Sequence, residues 1–185
     1  MRLFLAIELP PDVRAHLRSV QEVLEPHLGS AAITRDAGLH VTLKFLGEAD
    51  PSQLEPIETS LAAVGGGPIE LSAVGVACFP ERGSVRIVAA SFGGNVKRLK
   101  AVHDAVEQRC SYLGFRREER AYRAHVTLVR ARPVLPPSIR KLAHDLTAPL
   151  WPGPTFTAEA FALFQSRLMP EGSQYMKLHE FPLAS

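Results

Sequence analysis

This chain of 185 residues holds only two cysteines, one tryptophan and three tyrosines. Cys78 and Cys110 stand far apart and form no C-x-x-C pair, so no paired-thiolate metal or redox motif is present. They read as reduced, buried thiols of a cytoplasmic protein, with a single disulfide between them left open. The formal net charge is only +2, and no polybasic tail announces nucleic acid. Any anion binding must therefore come from local placement of charge rather than from an overall field. No apolar stretch approaches the length that spans a membrane. The opening run Met1–Ile7 is apolar but short. Glu8 interrupts it and no small-residue cleavage site follows, so it reads as a first strand rather than a secretory leader. Gly65-Gly66-Gly67-Pro68 is followed by no Lys-Ser/Thr pair and reads as a plain break, not a phosphate loop.

What is present is an ordinary globular balance, 46% hydrophobic and 22% charged, enough for one domain or two small lobes around a sizeable core. The conspicuous feature is a repeated tetrad. His-Val-Thr-Leu occurs at His40–Leu43 and again at His125–Leu128, about half the chain later. Both copies sit in short β-branched, apolar runs and read as strands. Strand side chains alternate faces, so His40 and Thr42 point one way while Val41 and Leu43 point the other. The same holds for His125 and Thr127 against Val126 and Leu128. Each strand thus offers one imidazole and one hydroxyl on a single face.

The surrounding pattern places a strand at about 2–9 and a helix opened by Pro10-Pro11 and ended by Gly29. The first tetrad strand follows at about 39–46, then a helix from Pro51. A hairpin of strands is expected at about 69–78 and 84–91. A helix capped near Asn95 carries Val96, Leu99, Val102, Val106 and Cys110. The second tetrad strand is followed by a helix from Pro136 to about 147 and by strands at about 155–165 and 174–182. Strands joined by short turns imply an α+β fold with antiparallel sheets. An internal duplication would make it bilobal, two pseudo-symmetric sheets with flanking helices and a cleft between them. In that reading residues 1–185 form one domain of two intertwined lobes, each with one tetrad strand.

Two histidines and two hydroxyls facing one small anion suit acid–base chemistry on a phosphodiester. Imidazole titrates near pH 6.5, so one ring can take a proton from water while the other gives one to the departing oxygen. Thr42 and Thr127 would donate to the non-bridging oxygens. Arg130, near the end of its strand, could add a planar fork of donors for phosphate. Lys44 alternates with Thr42 and would share its face, either touching phosphate or lying in solvent. Phe45 would then point with Leu43, unless the strand bulges. Arg116, Arg117, Arg120 and Arg123, interleaved with Glu118 and Glu119, read either as a salt-bridged loop or as a flank holding RNA phosphates. Tyr122 would be available there for base stacking. His16, His27, His103, His144 and His179 read as structural, and Trp151, Phe164 and Tyr175 as core. Metal catalysis is the chemical rival, but zinc takes three or four His, Cys or carboxylate ligands, and each tetrad supplies one His and a Thr. The site is read as holding no metal and needing no cofactor.

These residues resemble the 2H phosphoesterase superfamily, and within it the RNA 2′,3′-cyclic phosphodiesterases, also called 2′–5′ RNA ligases, of the LigT type. The resemblance rests on Arg2–Ile7, on Leu39–Glu48, on His125–Arg130 and, in support, on Phe164–Leu168 and Gly172–Tyr175. It implies a cleft between two antiparallel sheets and hydrolysis of 2′,3′-cyclic phosphate ends to 2′-phosphomonoesters without metal. It also implies that His40 is the proton donor and His125 the proton acceptor, an assignment two identical tetrads cannot make by themselves. Many relatives have Pro where Ala124 stands here. The partner implied is RNA with a cyclic phosphate end, or a small cyclic nucleotide, and the protein is expected to be a monomer away from membranes. Joining of RNA ends by the reverse chemistry, and binding of RNA ends without catalysis, stay open as alternatives.

Overall fold

Alternation of buried and exposed side chains sorts the strands into two antiparallel sheets in the computed structural model, which describes residues 1–170 and 172–184. In chain order the elements are β1 (Arg2–Glu8), α1 (Pro11–Leu24), β2 (Ala32–Ile33), β3 (His40–Glu48), α2 (Leu54–Leu61), β4 (Ile69–Phe79), β5 (Val85–Gly94) and α3 (Val96–Tyr112). They continue with β6 (His125–Leu135), α4 (Ile139–Thr147), β7 (Thr155–Ala158), β8 (Ala160–Met169) and β9 (Gly172–Pro182). One sheet has the order β3-β1-β8-β9 and the other β2-β6-β5-β4-β7. Each sheet carries one tetrad strand, and β3 and β6 lie against each other. The α+β class read from the sequence holds.

The helices pack across the chain's halves. α1, which follows a strand of the first sheet, packs on α4 and on β6 of the second. α3, which follows a strand of the second sheet, packs on α2 and on β3 of the first. Val13, Leu17, Val20 and Leu24 make the stripe of α1 and are fully buried. Each such side chain contributes about 1.5–3 kcal/mol by leaving water. α3 begins as the sequence implies, with the Asn95 side chain accepting from the Arg98 N–H. Among the described residues no helix is long and apolar enough to cross a membrane.

Two boundaries differ from the sequence reading. The first helix ends at Leu24, and Pro26 lies in a separate 3₁₀ turn before Gly29, whose φ of 58° turns the chain. The single strand expected at 155–165 is two, divided at Glu159. β7 pairs with β4 in the second sheet and β8 with β1 in the first, so the chain changes sheets there. The Glu159 carbonyl, released from either ladder, accepts from the Leu183 N–H at 2.8 Å. Hydrophobic periodicity cannot see this break, because the residues on both sides of it are buried in the same core.

Candidate active site

Each tetrad strand contains a β-bulge immediately after its threonine. Against β1, Thr42 pairs with Ala6 but Lys44 pairs with Leu5, leaving Leu43 as the extra residue. Against β5, Thr127 pairs with Ala89 but Val129 pairs with Val88, leaving Leu128 extra. A bulge inserts one residue and so reverses the alternation beyond it. In both strands the first, third and sixth residues are partly or fully exposed and the second, fourth and fifth are buried. His40, Thr42 and Phe45 therefore share one face of the first sheet, and His125, Thr127 and Arg130 share the matching face of the second.

The cross-strand neighbours repeat as well. Ala6 stands beside Thr42 with Ala162 on the next strand beyond it, and Ala89 stands beside Thr127 with Ala77 on the next strand beyond it. Alanine is too short to reach over either hydroxyl from the adjacent strand.

His40 rests on aromatic rings. Its ring stacks on Phe4 at 4.9 Å between centroids, and Tyr175 meets it edge-on at 5.5 Å. Phe164 stacks under Phe4 at 5.2 Å. Phe164 and Tyr175 are thus not in the main core but in a second cluster on the site side of the first sheet. Burial pushes the His40 pKa down to about 4. A hydrogen bond to the Ala37 backbone pulls it back up, the Arg130 charge pushes it down, and the Glu8 carboxylate pulls it up. Glu8 is the cross-strand neighbour of His40 and is shared with Lys177, which also reaches Glu180 at 2.9 Å.

His125 has fewer aromatic neighbours. Its Nδ1 lies 2.8 Å from the Arg123 carbonyl, and its ring packs on Phe79 at 5.2 Å. A carbonyl can only accept, so Nδ1 carries the proton and Nε2 of the neutral ring is left with a free lone pair. Arg130 is exposed and lies within electrostatic reach of His40, so the second tetrad strand delivers charge to the histidine of the first.

Two residues read from the sequence as contacts for substrate are placed elsewhere. Lys44 is buried on the opposite face from Thr42. Its Nζ donates to Glu107 Oε1 at 2.7 Å and to the Arg116 carbonyl at 2.9 Å. The bulge at Leu43 is the reason, and it was the one circumstance under which Phe45 would exchange faces with Lys44. Phe45 is accordingly 63% exposed on the face of His40, with Phe4 behind it at 6.0 Å. Tyr122 is not free for a base. Its ring is stacked on His103 at 4.0 Å, and its hydroxyl donates to the Thr42 carbonyl at 3.3 Å. Burial raises its pKa. Phe45, Phe4 and Glu8 were missed at the sequence level. Only a bulge signal could have found Phe45, whereas Glu8 was legible as the polar end of a strand.

Among the described residues no three His, Cys, Asp or Glu side chains gather as a metal would require.

Comparison with known proteins fits this geometry. The family model for LigT-like phosphoesterases matches residues 7–88 and 94–175, and each stretch holds one tetrad. The chain belongs to the LigT-like phosphoesterase family. Similar to it are the RNA 2′,3′-cyclic phosphodiesterases of Archaeoglobus fulgidus, 31% identical over 98% of this chain and 99% of that protein, and of Thermus thermophilus, 30% identical over 99% and 90%. The crystal structure of TT0787 of Thermus thermophilus superposes with a TM-score of 0.78 at 27% identity, covering 99% of this chain and 98% of that one. Escherichia coli LigT, solved in complex with 3′-AMP, shares the fold at 18% identity, with a TM-score of 0.76 over 100% of this chain and 98% of that one.

Proposed function

We propose that this phosphoesterase hydrolyses 2′,3′-cyclic phosphate ends of RNA, or small 2′,3′-cyclic nucleotides, with His40 and His125 as its acid–base pair. The observation that carries the reading is the packing of the two tetrad strands against each other, each with its histidine and threonine on one partly exposed face. The activity named for the relatives at about 30% identity supports the substrate class.

In this reading the cyclic phosphate lies between the two site faces. His125 Nε2 takes a proton from water as the water oxygen bonds to phosphorus. The bond from phosphorus to O3′ breaks, His40 protonates O3′, and a 2′-phosphomonoester with a free 3′ hydroxyl leaves. Thr42 and Thr127 donate to the non-bridging oxygens as charge gathers there, and Arg130 adds its guanidinium. The tautomer set by the Arg123 carbonyl suits His125 to the base role. His40 is neutral in the unliganded protein, since its pKa is pushed down to about 4. To act as donor it must be protonated as the phosphate anion arrives, because a nearby negative charge raises an imidazole pKa. The whole chain is one catalytic unit in this reading, a monomer in which each sheet brings one histidine and one threonine. Phe45 offers an exposed ring to the base of the bound nucleotide.

The test is incubation with a short RNA ending in a 2′,3′-cyclic phosphate, in excess chelator, with the phosphate position of the product identified. A 2′-phosphate supports the reading. A 3′-phosphate keeps the histidine pair and reverses the orientation of the substrate. No product in chelator, with turnover restored by a divalent metal, overturns the metal-free chemistry.

A further inference from the structure

The residue just past the bulge of β3 is a charge that the fold itself does not require. The two tetrad strands match residue for residue through the bulge, and where β6 places Val129, fully buried, β3 places Lys44. A valine is therefore sufficient for a strand of this shape. Yet the Lys44 side chain is only 2% exposed and its partner Glu107, on α3, only 6%. Removing two charges from water is costly, and a well-packed apolar pair is often equally stable or more so.

What the pair touches is the connection between the two halves of the site. Lys44 Nζ also donates to the Arg116 carbonyl, and Glu107 Oε2 accepts from the Glu118 N–H at 3.3 Å. Both contacts fall in the irregular segment between α3 and β6, the stretch that runs into His125. Further along, the Tyr122 hydroxyl donates back to the Thr42 carbonyl, and the Arg123 carbonyl holds the His125 ring. Three points of the segment, Arg116, Glu118 and Tyr122, are thus tied to the first tetrad strand or to the helix packed on it, and the next residue, Arg123, orients the second histidine. The second bulge is served differently. The Leu128 carbonyl accepts from the Thr34 N–H at 2.8 Å and from Gln21 Nε2 at 2.9 Å, and Gln21 Nε2 also donates to the Thr34 carbonyl at 2.8 Å, so the segment that enters β3 is held by neutral groups without a buried charge pair.

We propose that Lys44 and Glu107 are positioning residues, a buried strut that fixes segment 113–124 on the first tetrad strand and so sets His125 relative to His40 and Thr42. The catalytic part of this proposal rests on the function proposed above; the mechanical part does not.

The experiment replaces the pair with apolar residues of similar size, Lys44→Met with Glu107→Leu, and reads three quantities. Thermal unfolding should stay within a few degrees of the parent protein. Trypsin under native conditions should cut after Arg116, Arg117 or Arg120 on the order of tenfold faster, because the segment opens more often. On a small 2′,3′-cyclic nucleotide, kcat should fall on the order of tenfold while KM changes by less than about threefold, because the bound state is retained and the alignment for attack is lost. An unchanged cutting rate overturns the strut. Faster cutting with unchanged kcat overturns the positioning role. If the parent protein turns over neither a cyclic nucleotide nor an RNA with a 2′,3′-cyclic phosphate end, the proposed function fails while the cutting rate still decides the strut. Should the double variant not fold, Glu107→Gln keeps an oxygen for Lys44 but presents a donor to the Glu118 N–H, and it should move cutting rate and kcat the same way by a smaller factor.

Discussion

The strand of His40 and the strand of His125 share a tetrad, a bulge and a burial pattern, and they are finished with different chemistry. Around His40 the surroundings are aromatic: Phe4, Phe164 and Tyr175 gather at the ring, and burial pushes its pKa down to about 4. Around His125 there is one aromatic neighbour and a backbone carbonyl that fixes the tautomer. Past the bulge, the first strand presents the apolar ring of Phe45 and the second presents the guanidinium of Arg130. On the buried side the first hides a lysine and the second a valine. Identical motifs thus acquire unequal surroundings from their neighbours, and environment is what sets the chemistry of like groups.

The strongest way to break this comparison is to remove each histidine in turn. His40→Ala and His125→Ala should each lower kcat on cyclic phosphate by on the order of 10³-fold, with the fold retained. An aryl phosphodiester, whose leaving group needs no proton, should then separate them. The variant lacking the donor regains much of its activity and the variant lacking the base does not. Rescue of His125→Ala instead of His40→Ala would exchange the two roles, and near-parent activity in either would remove the mechanism.

A smaller effect is expected at the hydroxyls. Thr42→Ala and Thr127→Ala should each cost on the order of 10²-fold in kcat, as lost oxyanion donors do. Equal losses would show that both strands face the phosphate symmetrically. A loss at one threonine only would assign the anion to that strand.

Beyond the bulges the two strands should diverge in kind. Arg130→Ala should lower kcat/KM by roughly tenfold for any phosphate substrate and more steeply at low salt. Phe45→Ala should raise KM by roughly five- to tenfold for nucleotides and leave an aryl phosphodiester unaffected, as a lost stacking face would. If both variants behave alike toward both substrates, the distinction between base contact and phosphate contact falls.

The smallest expected difference is in stability. His40 has a lowered folded pKa, so between its ordinary value of 6.5 and about 4 the unfolded chain binds a proton that the folded protein refuses. Stability is full above that window and declines as pH falls through it, by about 2–3 kcal/mol at its acid end. Urea unfolding near neutral pH and near pH 4 should show this loss in the parent protein. The loss should be smaller by about that amount in His40→Leu; an identical decline in both would mean that His40 is not desolvated.

The paired strands, the helices between them and the antiparallel class were legible because alternation and 3.6-residue periodicity survive in the sequence. His40, Thr42, His125 and Thr127 stood out because a repeated tetrad on a strand puts its polar pair on one face. Arg130 was reached by its place in the same motif, although simple alternation would have turned it to the wrong side. The same alternation argument misplaced Lys44, because each strand gains one residue just after its tetrad and neither sequence marks it with a glycine or proline. The division of the chain at Glu159 between two sheets was invisible for a related reason: one buried run can belong to two ladders. Local pattern therefore determined which residues are strands and which polar groups sit on them. Tertiary structure decided what surrounds those groups, since bulge registry, desolvation and the reach of Arg130 toward His40 arise only when residues distant in sequence meet, and a one-dimensional pattern carries no term for that contact.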